Sequence, residues 1–187
     1  MINTIYIENG VKNHPRTQTI LARFDQARQI SIDRYGEVFN RRAQNFRLQK
    51  LKPALILAQK HSGHILPAPN GFGIGGSKNF YFAHMANCLY DCRYCFLQGM
   101  YRSANYIIFV NFEDFDEQID HLITQHPNEK VYFFLVTTVI PLPWKVSLVL
   151  LPISFRYLKS THRLSLSSEQ KVFRSNHLIK PHQWITA

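Results

Sequence analysis

Cysteine is scarce in this chain of 187 residues: there are three, all between positions 88 and 95. An odd, close-set trio excludes a disulfide framework, which needs paired cysteines spread along the chain. Acid is short as well, with 12 Asp and Glu against 22 Lys and Arg, so the formal net charge is +10. Charged residues make up only 18% and hydrophobic ones 45%, which rules out a disordered polar chain. The composition also excludes collagen and coiled coil, and no internal repeat recurs at the spacing of solenoids or propellers. The opening stretch MINTIYIENG lacks the basic-then-apolar pattern of a secretory signal. A reducing cytoplasmic compartment is therefore the default, and there clustered thiols mean metal or redox chemistry.

The last third has almost no acid. Residues 135–187 hold seven basic residues and a single acid, Glu169, while residues 1–134 hold 15 and 11. The texture changes too, from an apolar stretch with Pro141, Pro143 and Pro152 to a Ser- and His-rich run without a sustained apolar period. We place a boundary near Phe134. Residues 135–187 form an atypical tail, read either as out of frame or as a small terminal module. A membrane span over Val131–Phe155 is long enough but is weakened by Lys145 and the prolines, so membrane attachment is not favoured.

The front part alternates elements. NTIYIE (3–8) reads as a short strand, and Ile20, Leu21, Phe24 and Ala27 predict a helix over about 17–30 with Thr17 as its N-cap. Between Arg41 and Lys60 there are six basic residues and no acid; ALILA (54–58) inside it reads as a buried strand. The charges fit a solvated face around that strand or a nucleic-acid surface. Gly71-Phe72-Gly73-Ile74-Gly75-Gly76 formally matches G-x-G-x-x-G, but prolines precede it and NFYFAH (79–84) after it reads as strand. A dinucleotide site needs the reverse order, so this is a glycine-rich approach loop. Tyr106–Phe112 predicts a strand, Asp114–Gln125 a helix and Lys130–Phe134 another strand, the rhythm of β/α units.

The chemistry lies in AHMANCLYDCRYCFLQG, where Cys88, Cys92 and Cys95 form C-x3-C-x2-C. Soft thiolates suit iron–sulfur clusters and zinc. A 4Fe-4S cube with three protein thiolates keeps one iron open for a non-protein ligand. S-adenosylmethionine uses such an iron in the radical enzymes, where an electron from the cluster cleaves the sulfonium. The competing reading is zinc in a Cys3His tetrahedron completed by His84, in a non-enzymatic metal- or nucleic-acid-binding module.

The stretch NCLYDCRYCFLQGMYRSANYIIFVNFEDF resembles the cluster region of the spore photoproduct lyase family of radical S-adenosylmethionine enzymes. The matching residues are Cys88, Cys92, Cys95, Phe96, Leu97 and Gln98, then Tyr106 and Val110-Asn111. The resemblance covers about residues 1–134 and is specific over about 79–115. It implies an α/β fold, an incomplete β/α (partial TIM-type) radical S-adenosylmethionine barrel. Residues 1–78 would be an amino-terminal helical and extended segment, and 79–134 the first β/α units with the cluster loop. It further implies a 4Fe-4S cluster on the three cysteines, S-adenosyl-L-methionine with Tyr94 beside its adenosyl group, and DNA carrying a thymine photolesion as substrate. The chemistry needs an electron donor of the flavodoxin or ferredoxin-like kind. His84 is then a satisfied strand-end residue. Two departures stand out. Phe96 replaces a tyrosine that flanks the third cysteine in the family, and no cysteine follows Cys95 to return a hydrogen atom. The expectation is a truncated, catalytically impaired relative.

Overall fold

The computed structural model describes residues 2–69, 71, 78–87, 100–127, 129, 131–135 and 172–174. Two sheets organise them. The larger has the order β2-β1-β3-β7-β6, formed by Arg28–Ile32, Thr4–Glu8, Leu55–Ala58, Tyr106–Phe109 and Met85–Ala86. Its first four strands are parallel, and β6 runs antiparallel to β7. The smaller sheet has the order β4-β5-β8-β9, from Leu66–Pro67, Lys78–Phe82, Val131–Leu135 and Val172–Arg174. Within it β5 and β8 are parallel neighbours, flanked by antiparallel β4 and β9. The fold is thus mixed α/β with parallel strands in both sheets.

The apolar run Leu55–Ala58 is buried at every position, as expected of a central strand covered on both faces. Because side chains alternate along a strand, its neighbours sort into two cores. Ile5, Ile7, Leu55, Leu57 and Ile108 face one side, with Ile20 and Leu21 of helix α1 (Pro15–Leu21). Ile56, Ala58, Ile107 and Phe109 face the other. There they meet Phe115 and Ile119 of helix α4 (Phe112–Gln125), together with Phe82, Val131 and Phe133 of the smaller sheet. One apolar core therefore joins α4 to both sheets. The acids Glu113 and Asp114 lie in the first turn of α4, where the positive end of the helix dipole favours them.

The expected helix over 17–30 is corrected. It ends at Leu21, and Arg28–Ile32 is a strand paired with β1 from Thr4↔Arg28 to Glu8↔Ile32. The helical spacing of Phe24 and Ala27 misled because both pack on the first core from the turn that follows the helix. In RQISI, Ile30 and Ile32 alternate as a strand requires, and pairing with β1 overrides local propensity. The N-cap is His14, whose Nδ1 accepts the Arg16 N–H at 3.2 Å, with Pro15 at the first helical position. Thr17 is instead fully buried within the helix.

The expected strand over 79–84 is observed as β5, which begins at Lys78 and ends at Phe82. After Phe82 the chain leaves the smaller sheet and, two residues later, joins the larger one as β6. The basic segment contributes one short helix, α3 (Phe46–Leu51), and another, α2 (Gly36–Phe39), just precedes it; neither was expected from the sequence. No helix among the described residues is long and apolar enough to cross a membrane, and Val131–Leu135, the start of the stretch considered as a span, is strand β8. Most of the glycine-rich loop, Phe72 to Gly76, lies outside the described residues.

Leu55, fully buried at the centre of the larger sheet, tests this core. Leu55→Ala is expected to cost about 2–5 kcal/mol, read as a lowered urea midpoint.

Candidate metal centre

Cys88, Cys92, Cys95 and Tyr94 fall in residues 88–99, outside the described residues. Both ends of that connection are described. It links antiparallel β6 to β7, with Met85↔Ile108 and Ala86↔Ile107 in register. Asn87 is buried at its start with φ +69°, a left-handed conformation that Asn tolerates better than most residues. Its side-chain Nδ2 donates to the main-chain oxygens of Ser103 at 2.6 Å and Asn105 at 2.7 Å. One side chain thus pins the outgoing chain to the returning one, and the cysteines lie between.

The returning chain is held from its other side by α3. Gln49 Oε1 accepts the Ala104 N–H at 2.9 Å and the Ser103 hydroxyl at 3.2 Å. Asn105 Oδ1 accepts the Ala54 N–H at 3.0 Å, one step before β3 begins. Ser103, Ala104 and Asn105 are all buried, so each unmade bond here would leave a polar group dry. None of Asn87, Gln49, Ser103 or Asn105 was singled out from the sequence. The only signal was the density of amide residues on either side of the cysteines.

At the carboxyl ends of the parallel strands lies a second polar group. Asn111, after β7, makes a reciprocal pair with Lys60, after β3: Oδ1 accepts the Lys60 N–H and Nδ2 donates to the Lys60 oxygen, both at 2.9 Å. His64 is buried, its Nε2 2.6 Å from the Lys60 oxygen and its Nδ1 3.2 Å from Gln118 Nε2. Both contacts are hydrogen bonds when Nε2 carries a proton and Nδ1 accepts. The Lys60 ammonium lies between the rings of Phe109 and Phe115, at 5.7 and 5.5 Å, and burial pulls its pKa down. Glu8, buried at the end of β1, accepts from His61 Nε2 at 2.9 Å.

His84, the proposed fourth zinc ligand, sits in the crossing between the two sheets. It is 7% exposed, its ring stands edge-on to Phe112 at 5.2 Å between centroids, and its main-chain oxygen accepts the Phe109 N–H. These contacts suit a packed strand-end histidine. Among the described residues no three His, Cys, Asp or Glu side chains gather as a metal site.

Asp116 on α4 is the unexpected titratable group. It is 5% exposed, and neither carboxylate oxygen has a hydrogen-bond partner among the described residues. Burial, then the nearby charges of Asp120 and Glu113, push its carboxyl up to about 7, against the pull of Arg16. Arg16 is engaged close by, stacked on Phe112 and paired with Glu113 at 2.6 Å.

The architecture is that of a mixed α/β protein whose cysteine-bearing connection joins β6 to β7. Solved structures share the fold. A spore photoproduct lyase variant with bound AdoMet and dinucleoside spore photoproduct matches with a TM-score of 0.63 at 16% identity, over 86% of this chain and 46% of that one. Spore photoproduct lyase complexed with dinucleoside spore photoproduct gives 0.62 at 16% identity, over the same shares. A further variant of that enzyme gives 0.56 at 18% identity, over 74% of this chain and 41% of that one. The chain spans about half the length of these structures. The likeness establishes the fold and meets the resemblance read around the cysteines. No family model and no curated protein matches the sequence.

Two outcomes follow from this geometry. Asn87→Ala forfeits two hydrogen bonds and forces a Cβ-bearing residue without polar reach into φ +69°. We expect a loss of about 2–4 kcal/mol by urea unfolding, with Asn87→Gly, which relieves only the backbone cost, falling between it and the parent. For Asp116 the folded state holds the proton more tightly than the unfolded chain, whose carboxyl titrates near 3.8. Its contribution is fully present below that pH and is lost as pH rises towards 7. Asp116→Asn should therefore match the parent near pH 4 and exceed it at pH 8, by on the order of 1–3 kcal/mol in denaturant melts.

Proposed function

We propose that the chain is a radical S-adenosylmethionine protein of the spore photoproduct lyase type. In it Cys88, Cys92 and Cys95 hold a 4Fe-4S cluster and Tyr94 lies beside the adenosyl group. The observation that carries this reading is the joint one of motif and place. C-x3-C-x2-C occurs in a connection pinned at both ends by Asn87, within a fold shared with spore photoproduct lyase structures. The donor set fits the group: three thiolates satisfy three irons and leave the fourth to the methionyl amine and carboxylate. When bound, the pair supplies a one-electron cleavage of the sulfonium and with it a hydrogen-abstracting radical.

The chain's own residues have narrower tasks. The thiolates bind and must be deprotonated to do so. Asn87 and Gln49 fix where the cysteine connection leaves and rejoins the folded body. In this reading β5 and β8 are the first two strands of an incomplete barrel. Residues 1–78 are a supporting segment, 79–134 the cluster-bearing units and 135–187 the atypical tail, which supplies β9. DNA with a thymine photolesion is the ancestral substrate and a low-potential carrier the electron source. Phe96 has no O–H to give, and no cysteine follows Cys95 within these 187 residues, so these residues do not themselves supply the hydrogen-return groups that the resemblance implies.

Anaerobic reconstitution tests the proposal. The protein should turn brown with about four irons per chain. Cys88→Ala, Cys92→Ala and Cys95→Ala should each abolish the colour, and S-adenosylmethionine should perturb the reduced cluster's electron paramagnetic resonance signal. Stoichiometric zinc without affinity for iron, lost in His84→Ala, would establish the Cys3His alternative.

A further inference from the structure

The basic segment contains a surface that the cluster chemistry does not itself account for. On α3, Leu48 is 64% and Leu51 77% exposed, and a spacing of three residues puts them on one face of the helix. Arg47 lies beside them, exposed Arg41 and Arg42 precede the helix and exposed Lys52 follows it. These four cations have no ion-pair partner among the described residues. No acid occurs from Arg41 to Lys60 to neutralise them. Single exposed leucines are ordinary; two adjacent ones inside an uncompensated cationic rim form the plan of a small interface, apolar at its centre and polar at its edge.

The chemistry of the patch selects its occupant. A nucleic-acid backbone would engage the cations but leave the leucines wet. A lipid surface takes a helix with a broader apolar face than the two exposed leucines of α3. A protein with an apolar centre and an acidic rim satisfies both features. Position adds the rest: Gln49, on the inner side of the same helix, bonds Ser103 and Ala104, where the cysteine connection returns. A partner on α3 therefore sits against the anchorage of the candidate cluster.

We infer that the outer face of α3, Leu48 and Leu51 rimmed by Arg41, Arg42, Arg47 and Lys52, is the docking site of a small acidic one-electron carrier protein. This rests on the cluster reading above. In the step it serves, one electron leaves the reduced flavin or iron–sulfur group of the carrier, which is oxidised by one electron. The cysteine-held irons are reduced by one, and no bond is made or broken. Such encounters are small and transient, consistent with a face of one short helix.

The test uses an acidic flavodoxin as the probe and begins with the metal-free chain, so that it does not depend on iron uptake. Binding measured by titration calorimetry should be detectable at low ionic strength and vanish at high salt. The double variant Arg47→Glu/Leu51→Ser should weaken it at least about tenfold, since it reverses a rim charge and removes an apolar anchor. Both positions are exposed, and an unchanged far-ultraviolet spectrum will show that the fold is kept. With reconstituted protein, the same variant should slow bleaching by reduced flavodoxin and leave bleaching by dithionite unchanged. Absence of binding by the parent would overturn the inference. So would a variant that binds flavodoxin as well as the parent, that loses affinity for duplex DNA instead, or that merely abolishes self-association. Failure to take up iron, with flavodoxin binding intact, would count against the cluster and not against the docking face.

Discussion

Buried backbone groups must be paired, and at the ends of β3 and β7 side-chain amides do the pairing that the strands no longer can. Before the ladder begins, Asn105 Oδ1 takes the Ala54 N–H. After it ends, Asn111 takes the Lys60 N–H and gives to the Lys60 oxygen. Asn87 and Gln49 then satisfy the main chain where it returns to the sheet. These amides let the two central strands stop abruptly and still leave no dry polar group at those points. Every part of the candidate site is built on those abrupt ends: the cysteine connection at one, the Lys60–His64 network at the other.

The elements legible in the sequence were those whose side chains alone decide them. ALILA can only be a central strand, and β7, α4 and β8 follow from apolar periods close to their observed bounds. The failures share a cause. Phe24 and Ala27 continue a helical spacing by coincidence, and whether RQISI is a strand depends on β1 lying beside it. The division of 78–86 between two sheets likewise depends on β7 and β8, more than 20 residues further on. The cysteines stand out in the sequence because spacing carries ligand chemistry, and they lie outside the described residues. The amides that hold their connection were not, because a buried Asn differs from an exposed one only in what the fold brings to it.

Asp116 shows the same dependence from the other side. Its position in α4, four residues after Phe112 and three before Ile119, places it on the packed face of the helix. A sequence reader expects such a residue to be apolar. The cost is tolerated with the proton retained, and Arg16, which bridges α1 to α4 through Glu113 and the Val110 oxygen, moderates it.

The Asn87 tie has one more implication. Because Asn87 ties the chain leaving β6 to the chain entering β7, the pairing of those two strands rests on the neck residues. Divergence in a lineage built this way would spare Asn87, Ser103 and Asn105.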